Sequence, residues 1–488
     1  MAQIIIFTGV QDLIPFRTMG AYQVAHRLRE NGYTVQVVEY FPQIKNHNFN
    51  ILLKILNKFV NEDTLWIGFS STFITNNSAD SRIFTDSEAD IIKDLVHNVA
   101  PKCRFVIGGA KSYLRNSSKL FDTYIEGYAD ASVIRFTKWL QGKDPFFQFT
   151  KEGDILAVVN DPKASTYDFT NSTFKWHPSD FIDSGEGLPI EISRGCIFKC
   201  GFCSFPLNGK NKLDYIRNSE VLVEQFIENY NNYGTTNYVF VDDTHNDSSE
   251  KLTVLYEQVY SKLPFKINFA TYLRLDLLAA KPWTIKLLKD SGIRLAYFGI
   301  ESLNEASNRS IGKGISKEKI IRTLDQIHNE WGDDVITFGN FIVGLPHDSI
   351  ETVTEWMEIL LDDKFKIDAL KVNPLILDLN RLKNYPWDSE FLKDPAKHGY
   401  TFNDQGWVNN TGMSRSDAIK LVNKYSQLLE KKQKTPGKIL WSDTVGLAGL
   451  NYSWDEVRNT FKHTRNPDED IHKRLTERIA RYVDNLLS

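Results

Sequence analysis

Cys196, Cys200 and Cys203 put three thiols into eight consecutive residues, Cys-Ile-Phe-Lys-Cys-Gly-Phe-Cys. They directly follow an apolar stretch, Pro189–Ser193, that reads as a β-strand. Thiolates bind zinc or iron–sulfur clusters. A structural zinc usually takes four protein ligands in paired spacings, and no second cysteine pair or nearby histidine flanks this loop. On a four-iron cluster, three thiolates leave one iron open to an outside ligand, which a reductive cleavage site needs. The bland readings are a Cys3His zinc site using a distant histidine, or three buried cysteines without a ligand role. Thiols this close cannot build a disulfide framework, and the expected compartment is a reducing one. Cys103, the remaining cysteine, stands alone beside an apolar run and reads as a small buried hydrophobe.

The elements that must position this loop are legible as a rhythm. Up to about residue 140, apolar strands at Ile4–Thr8, Thr34–Tyr40, Thr64–Ser70, Arg104–Gly108 and Thr123–Glu126 alternate with amphipathic helices at Met19–Asn31, Phe49–Val60, Asp86–Asn98 and Ala131–Leu140. Continuous apolar strands between helices mean a parallel sheet covered on both faces. The expectation is a flavodoxin-like doubly wound domain over 1–145, with ligands beyond the carboxyl ends of its strands. Turn clusters then break the rhythm, and 146–185 is expected to be a linker. Alternation resumes over 186–385 with strands at Pro189–Ser193, Asn237–Asp242, Lys266–Leu273, Leu295–Ile300, Ile336–Val343 and Ala369–Leu375. Six such units predict a partial (βα)6 TIM-type barrel with functional residues at strand carboxyl ends. Residues 386–488 are expected to be mostly helical, giving an α/β protein overall.

Composition excludes more than it proposes. With 488 residues, 58 basic against 62 acidic side chains and 42% hydrophobic content, the chain reads as an ordinary globular protein. Near-balanced charge leaves no clear footprint for nucleic-acid binding. No apolar run is long enough to span a membrane. The opening Met-Ala-Gln-Ile-Ile-Ile-Phe reads as a first strand rather than a signal peptide, so the expected location is cytoplasmic.

The loop Cys196, Cys200, Phe202, Cys203 resembles the hallmark of the radical S-adenosylmethionine (SAM) superfamily, C-x3-C-x2-C with an aromatic before the last cysteine. The resemblance implies a 4Fe-4S cluster whose open iron binds the amino and carboxylate groups of SAM. An electron from the cluster then cleaves the sulfonium to methionine and a 5′-deoxyadenosyl radical, the cofactors carrying the chemistry. It further implies SAM-binding roles at strand ends. Asp242 and Asp243 stand where relatives hold the methionine ammonium, although a helix cap is an equal reading. Arg274 is placed to grip a carboxylate, unless it pairs with Asp276. Glu301 and Ser302 stand where relatives bind the ribose. Ile342 and Gly344 match a G-x-I-x-G-x-x-x-E adenine motif from which Asn340 and Asp348 depart.

The first domain resembles the cobalamin-binding domain of B12-type radical SAM enzymes, whose pattern is D-x-H-x-x-G, S-x-L and G-G. Gly20 keeps the first glycine, while Arg17 occupies the position of the cobalt-ligating histidine. Ser70 and Thr72 resemble the second block, and Gly108-Gly109 the third. Either cobalamin binds without a histidine ligand, or the domain is a scaffold or substrate platform. Arg17 as a plain solvated helix-start residue is a further reading. Radical SAM methylthiotransferases also place such a domain first, but they carry further cysteines there for a second cluster, where this chain has Cys103 alone.

The implied activity is cobalamin-dependent methyl transfer to an unactivated carbon of a small-molecule or peptide substrate. The implied electron donor is a flavodoxin or ferredoxin. The alternatives are radical cyclisation, rearrangement or oxidation without methyl transfer, and a non-catalytic metal-stabilised binding protein. No side chain stands out as a general acid or base. Two tail stretches, His398–Phe402 and Asn403–Asn410, either close over substrate or cap the barrel.

Overall fold

A computed structural model describes residues 1–10, 16–71, 83–109, 118–205, 207–377, 388–435, 443–463 and 469–488. The chain divides into two compact units, one of Met1–Ser184 with Asp470–Ser488, the other of Gly185–Asn380 with Pro386–Glu469.

Among the described residues of the first unit, seven strands form one sheet. They are β1 (Ile4–Phe7), β2 (Val35–Val38), β3 (Trp66–Ser70), β4 (Arg104–Gly109), β5 (Thr123–Glu126), β6 (Thr150–Glu152) and β7 (Ile155–Val159), in spatial order β2-β1-β3-β4-β5-β7-β6. Every residue of β1, β2 and β5 is buried, as a parallel sheet covered on both faces requires. The first five strands have the 2-1-3-4-5 order of a flavodoxin-like sheet, whose topological switch lies between β1 and β3. The stretch expected to be a linker instead contributes structure. β6 and β7 form an antiparallel hairpin, and β7 extends the sheet parallel to β5. The run Ile-Leu-Ala-Val-Val of β7 is an apolar strand that the surrounding turn residues obscure in the sequence.

The last helix, Glu469–Leu487, also departs from expectation, because it belongs to this unit and not to a separate helical region. Tyr482 and Leu486 enter the hydrophobic core formed by β1 and the helices Phe41–His47 and Phe49–Phe59. The Tyr482 hydroxyl accepts from the Glu39 amide at 2.9 Å and donates to the Val37 carbonyl at 3.2 Å, tying the helix to the end of β2.

In the second unit, six parallel strands pair in chain order among the described residues: β8 (Leu188–Ile190), β9 (Asn237–Phe240), β10 (Asn268–Leu273), β11 (Ile293–Glu301), β12 (Ile336–Val343) and β13 (Ala369–Pro374). β8 and β13 lie at opposite edges, so the sheet is open, as the (βα)6 reading expects. One face packs on helices: Phe341 stacks on Trp356 of the helix Ile350–Leu361. The other face carries an aromatic layer from register partners on adjacent strands. Tyr272 meets Tyr297 and Tyr297 meets Phe338, each at 4.7 Å between ring centres. One position nearer the carboxyl ends on this face stand Gly299 and Asn340, followed by Ile342 and Asn373. A small antiparallel hairpin, β14 (Thr401–Asn403) and β15 (Gly406–Val408), and the helices Arg415–Lys431, Asp443–Ala448 and Trp454–His463 follow in the same unit. Among the described residues no helix is long and apolar enough to cross a membrane.

Candidate functional site

The cysteine loop leaves the end of β8 and is folded on itself by backbone bonds. The Cys196 amide donates to Leu207 O at 3.1 Å, and Gly209 and Lys210 donate back to Cys196 O at 2.8 and 3.3 Å. Gly195 has φ +77°, and a Cβ there would stand 2.4 Å from the Leu207 side chain, so glycine is needed immediately before the first thiol. Cys196 is buried, while Cys200, Phe202 and Cys203 are half-buried. Burial pushes the Cys196 thiol up and the Cys203 thiol up to about 12. Among the described residues no three His, Cys, Asp or Glu side chains are gathered as ligands of a single ion. Cys103 lies buried in the core of the first unit, as expected of a small hydrophobe.

The acidic pair after β9 holds the start of this loop. Asp242 Oδ1 accepts the amides of Ile192 and Ser193, both at 3.0 Å. Its Oδ2 takes the Ser193 hydroxyl at 3.0 Å and faces His245 Nδ1 and Lys251 Nζ, each at 3.3 Å. Burial alone would raise the Asp242 carboxyl, but Lys251 and His245 hold it below the usual carboxylate range. Asp242 is thus an internal staple with both oxygens occupied. That corrects the expected ammonium ligand and helix cap alike. Asp243 is different. One oxygen accepts the Gly195 amide at 2.8 Å, and its residue is half-exposed. Burial of the carboxyl pushes its pKa up to about 6 against the favourable Gly195 bond.

Arg274 also has a role the sequence left open. Its guanidinium forks onto Asp276 at 3.0 and 2.6 Å. The remaining donor, Nη1, points at Cys200 Sγ at 3.3 Å, and the plane lies 3.7 Å from the Phe198 ring centre. Asp276 fills the fork, so Arg274 is not an open carboxylate grip. It is a cation beside the Cys200 sulfur.

At the end of β11, Glu301 is buried at φ +73°, a conformation uncommon for a residue with a side chain and typical of functional strand ends. Its Oε1 pairs with Lys313 Nζ at 3.0 Å, and its Oε2 accepts from Asn340 Nδ2 at 3.3 Å. Asn340 in turn accepts from Asn373 at 2.8 Å. The result is a polar chain, Lys313–Glu301–Asn340–Asn373, across the carboxyl ends of three adjacent strands. The sequence reading missed Lys313 and Asn373. The Gly-Lys-Gly at 312–314 and the alternation along β13 were the available signals.

The remaining expected positions divide. Ser302 is fully buried and accepts the Asn304 amide at 3.0 Å, so it shapes a turn rather than facing a ligand. Ile342 is half-exposed between buried Phe341 and Val343, on the face that carries Asn340, and stays available to a ligand. Gly344 has φ +101°, and a Cβ there would stand 2.1 Å from Trp407, which accounts for the glycine without any ligand. Asp348 is buried at the same turn. It accepts the Gly344 and Leu345 amides at 3.0 and 3.1 Å and the Ser307 hydroxyl at 2.8 Å. Trp407 is fully buried and donates to Leu375 O at 3.0 Å. The two tail stretches therefore cap the carboxyl end of β12.

In the first unit, Arg17 is 1% exposed, which removes the solvated reading. Its guanidinium donates to the Tyr22 hydroxyl and the carbonyls of Asp180 and Phe181 at 2.7, 2.7 and 2.8 Å. Ser70 and Gly108 are register partners at the ends of β3 and β4, both half-buried, with Gly109 next at φ +118°. Gly20 is exposed, and a Cβ there would meet nothing within 4 Å. Thr72 lies outside the described residues.

An open (βα)6 sheet with a three-thiol loop leaving its first strand, preceded by a flavodoxin-like sheet, defines the class of protein. Residues 190–360 match the model of the radical SAM superfamily, and this chain carries a radical SAM domain. Over 171 residues it is 28% identical to an uncharacterised methyltransferase of Pyrococcus horikoshii, covering 34% of this chain and 36% of that protein. Over 188 residues it is 24% identical to the bacteriochlorophyllide d C-8(2)-methyltransferase of Chlorobaculum tepidum, covering 37% and 40%. The chain thus matches well under two thirds of these relatives' length. Its fold is similar to that of the radical SAM methyltransferase TsrM of Kitasatospora setae, solved with cobalamin and a 4Fe-4S cluster. That match has TM-score 0.64 and 13% identity, over 98% of this chain and 100% of that one. The cobalamin-dependent SAM radical enzyme OxsB, solved with aqua-cobalamin, is similar at TM-score 0.55 and 16% identity, over 88% and 61%.

Proposed function

We propose that this protein is a radical SAM enzyme in which Cys196, Cys200 and Cys203 hold a 4Fe-4S cluster. The supporting observation is the three-thiol loop itself, stapled at its start by Asp242 and Asp243 and contacted at Cys200 by Arg274. Thiols that each serve a different iron do not need to converge on one ion. When bound, the cluster supplies the electron that cleaves SAM to methionine and a 5′-deoxyadenosyl radical, the hydrogen abstractor.

This chain's residues orient and enclose. Asp243, with one oxygen on Gly195, is the acid best placed to accept from the SAM ammonium. Glu301, held by Lys313 and Asn340, presents a fixed carboxylate for the ribose hydroxyls, and Ile342 offers an apolar surface to the adenine. Arg274 offsets negative charge beside Cys200. Hydrogen abstraction needs such positioning more than a tuned acid or base.

We further propose that the first unit binds cobalamin over the ends of β3 and β4, and that the reaction is methyl transfer to an unactivated carbon of a small molecule or peptide. Small residues at Ser70, Gly108 and Gly109, and the open space at Gly20, suit close approach of a nucleotide tail. A flavodoxin or ferredoxin would deliver electrons, and the cytosol, which keeps thiols reduced, suits the enzyme.

The test is anaerobic reconstitution followed by iron, sulfide and cobalamin analysis and product assay. Cys196→Ala, Cys200→Ala or Cys203→Ala should each abolish the cluster and SAM cleavage, and Cys103→Ala neither. Full reductive cleavage by a cluster-loop variant overturns the assignment. S-adenosylhomocysteine formed alongside 5′-deoxyadenosine supports methyl transfer, and 5′-deoxyadenosine alone points to chemistry without it.

A further inference from the structure

A row of three buried aromatic side chains from the carboxyl-terminal part of the second unit connects the cysteine loop to the ends of β12 and β13. At one end, the Phe391 amide donates to Gly201 O at 3.0 Å, and Gly201 lies between Cys200 and Cys203. A Cβ on Gly201 would stand 2.5 Å from the Phe391 ring, so glycine is what lets the ring approach the loop backbone this closely. Phe391 is fully buried, 5.3 Å from Tyr400 between ring centres. Tyr400 packs edge-on against Trp407 at 5.9 Å and donates its hydroxyl to Gly344 O at 3.0 Å. Trp407 closes the row over Gly344 and bonds Leu375 O at 3.0 Å. Asn409 continues the attachment, donating to the carbonyls of Leu345 and Asp348 at 3.0 and 2.8 Å. Two glycines far apart in sequence are thus each the seat of one aromatic ring on the same segment.

We infer that residues 389–411 are a strap in which Phe391, Tyr400 and Trp407 act as positioning residues, locking the cysteine loop to the carboxyl ends of β12 and β13 and restricting its opening. The iron arm of the test rests on the cluster proposed above; the thiol arm does not. The loop has few apolar anchors of its own, since Cys200, Phe202 and Cys203 are half-buried and Phe205 is exposed. Its rigidity on this side comes from the ring over Gly201. A cluster in that loop is labile to water, oxygen and chelators whenever the loop opens, and local opening is governed by such packing.

Phe391→Ala, Phe391→Leu, Gly201→Ala and the Gly201→Ala/Phe391→Ala double variant test this in the full-length protein. In the metal-free state, iodoacetamide labelling resolved by peptide mass spectrometry should show Cys200 and Cys203 reacting at least about tenfold faster in Phe391→Ala, with Cys103 unchanged. In the reconstituted state, EDTA should strip iron from Phe391→Ala and Gly201→Ala faster by a similar factor, while Phe391→Leu stays near wild type. The double variant should be no worse than Phe391→Ala, because the added methyl no longer meets a ring. Labelling rates of Phe391→Ala and Gly201→Ala within about twofold of wild type overturn the strap. A wild-type protein that takes up no iron overturns the cluster assignment instead, and the labelling arm still decides the strap. Should Phe391→Ala fail to fold, Gly201→Ala and Phe391→Leu carry the same comparison.

Discussion

Lys313 Nζ stands 3.0 Å from Glu301 Oε1 at the carboxyl end of β11, with both side chains buried. A buried pair of this kind is a weak source of net stability but a costly one to break, because removing one partner strands the other charge. Lys313→Met is therefore expected to destabilise the protein by about 3–5 kcal/mol in urea unfolding. Glu301→Gln combined with Lys313→Met should recover most of that loss. A single and a double variant of equal stability would show that the pair does not act as a unit.

Glu301→Ala is expected to weaken SAM binding without removing iron. Losing a charged hydrogen bond costs about 1.5–3 kcal/mol, or roughly 10- to 100-fold in Kd. Equilibrium binding to reconstituted protein measures it. An unchanged Kd with lowered stability would make Glu301 purely structural.

Burial raises the Asp348 carboxyl to about 6 despite the Ser307 hydroxyl and the Gly344 and Leu345 amides that favour its charged form. A folded-state value above the unfolded one means the group supports folding when protonated. Its contribution is complete below the unfolded carboxylate range and is lost as pH rises through about 6. Unfolding free energy should therefore fall between about pH 4 and 6 by at most about 3 kcal/mol from this group. Asp348→Asn should flatten that slope in urea titrations across the range. An unchanged slope would place the proton elsewhere.

Arg17 serves three acceptors, Tyr22 Oη and the carbonyls of Asp180 and Phe181, from a position 1% exposed to solvent. Arg17→Met should leave these groups without their donors and lower stability by roughly 2–5 kcal/mol. Arg17→Lys should rescue poorly, since one ammonium cannot reproduce the planar fork. Thermal unfolding with a loss indistinguishable from zero would contradict the geometry.

If the first unit binds cobalamin as proposed, the cobalt should carry no protein nitrogen. The resemblance to cobalamin-binding domains sets Arg17 where their ligating histidine stands, and a guanidinium stays protonated and offers no lone pair. Electron paramagnetic resonance of the cob(II)alamin form should lack nitrogen triplet splitting. Its presence would require a histidine from elsewhere, and failure to retain any cobalamin would make the domain a scaffold.

Local pattern determined most of the elements, though not the strand pairs β6–β7 and β14–β15. The all-buried runs Ile4–Phe7 and Val35–Val38, the helical spacing of Asp86–His97 behind its Thr85–Glu88 capping box, and the repeat of strands from Leu188 to Pro374 are short-range features, fixed by side-chain period and caps. The three-thiol spacing was equally local, because all three sulfurs lie on one loop. Arg274 with Asp276 lay within that reach as well, two residues apart. Tertiary structure alone decided the rest. Glu301 meets Lys313, Asn340 and Asn373, Arg17 meets carbonyls beyond residue 179, Gly201 seats Phe391 and Gly344 seats Trp407. A buried polar or small residue must find its partner somewhere, but periodicity carries no address for it. Strand register and the folding-back of distant segments supply that address. For the same reason the helix Glu469–Leu487, amphipathic in sequence like any other, could be assigned to the first sheet only once Tyr482 was seen against Val37 and Glu39.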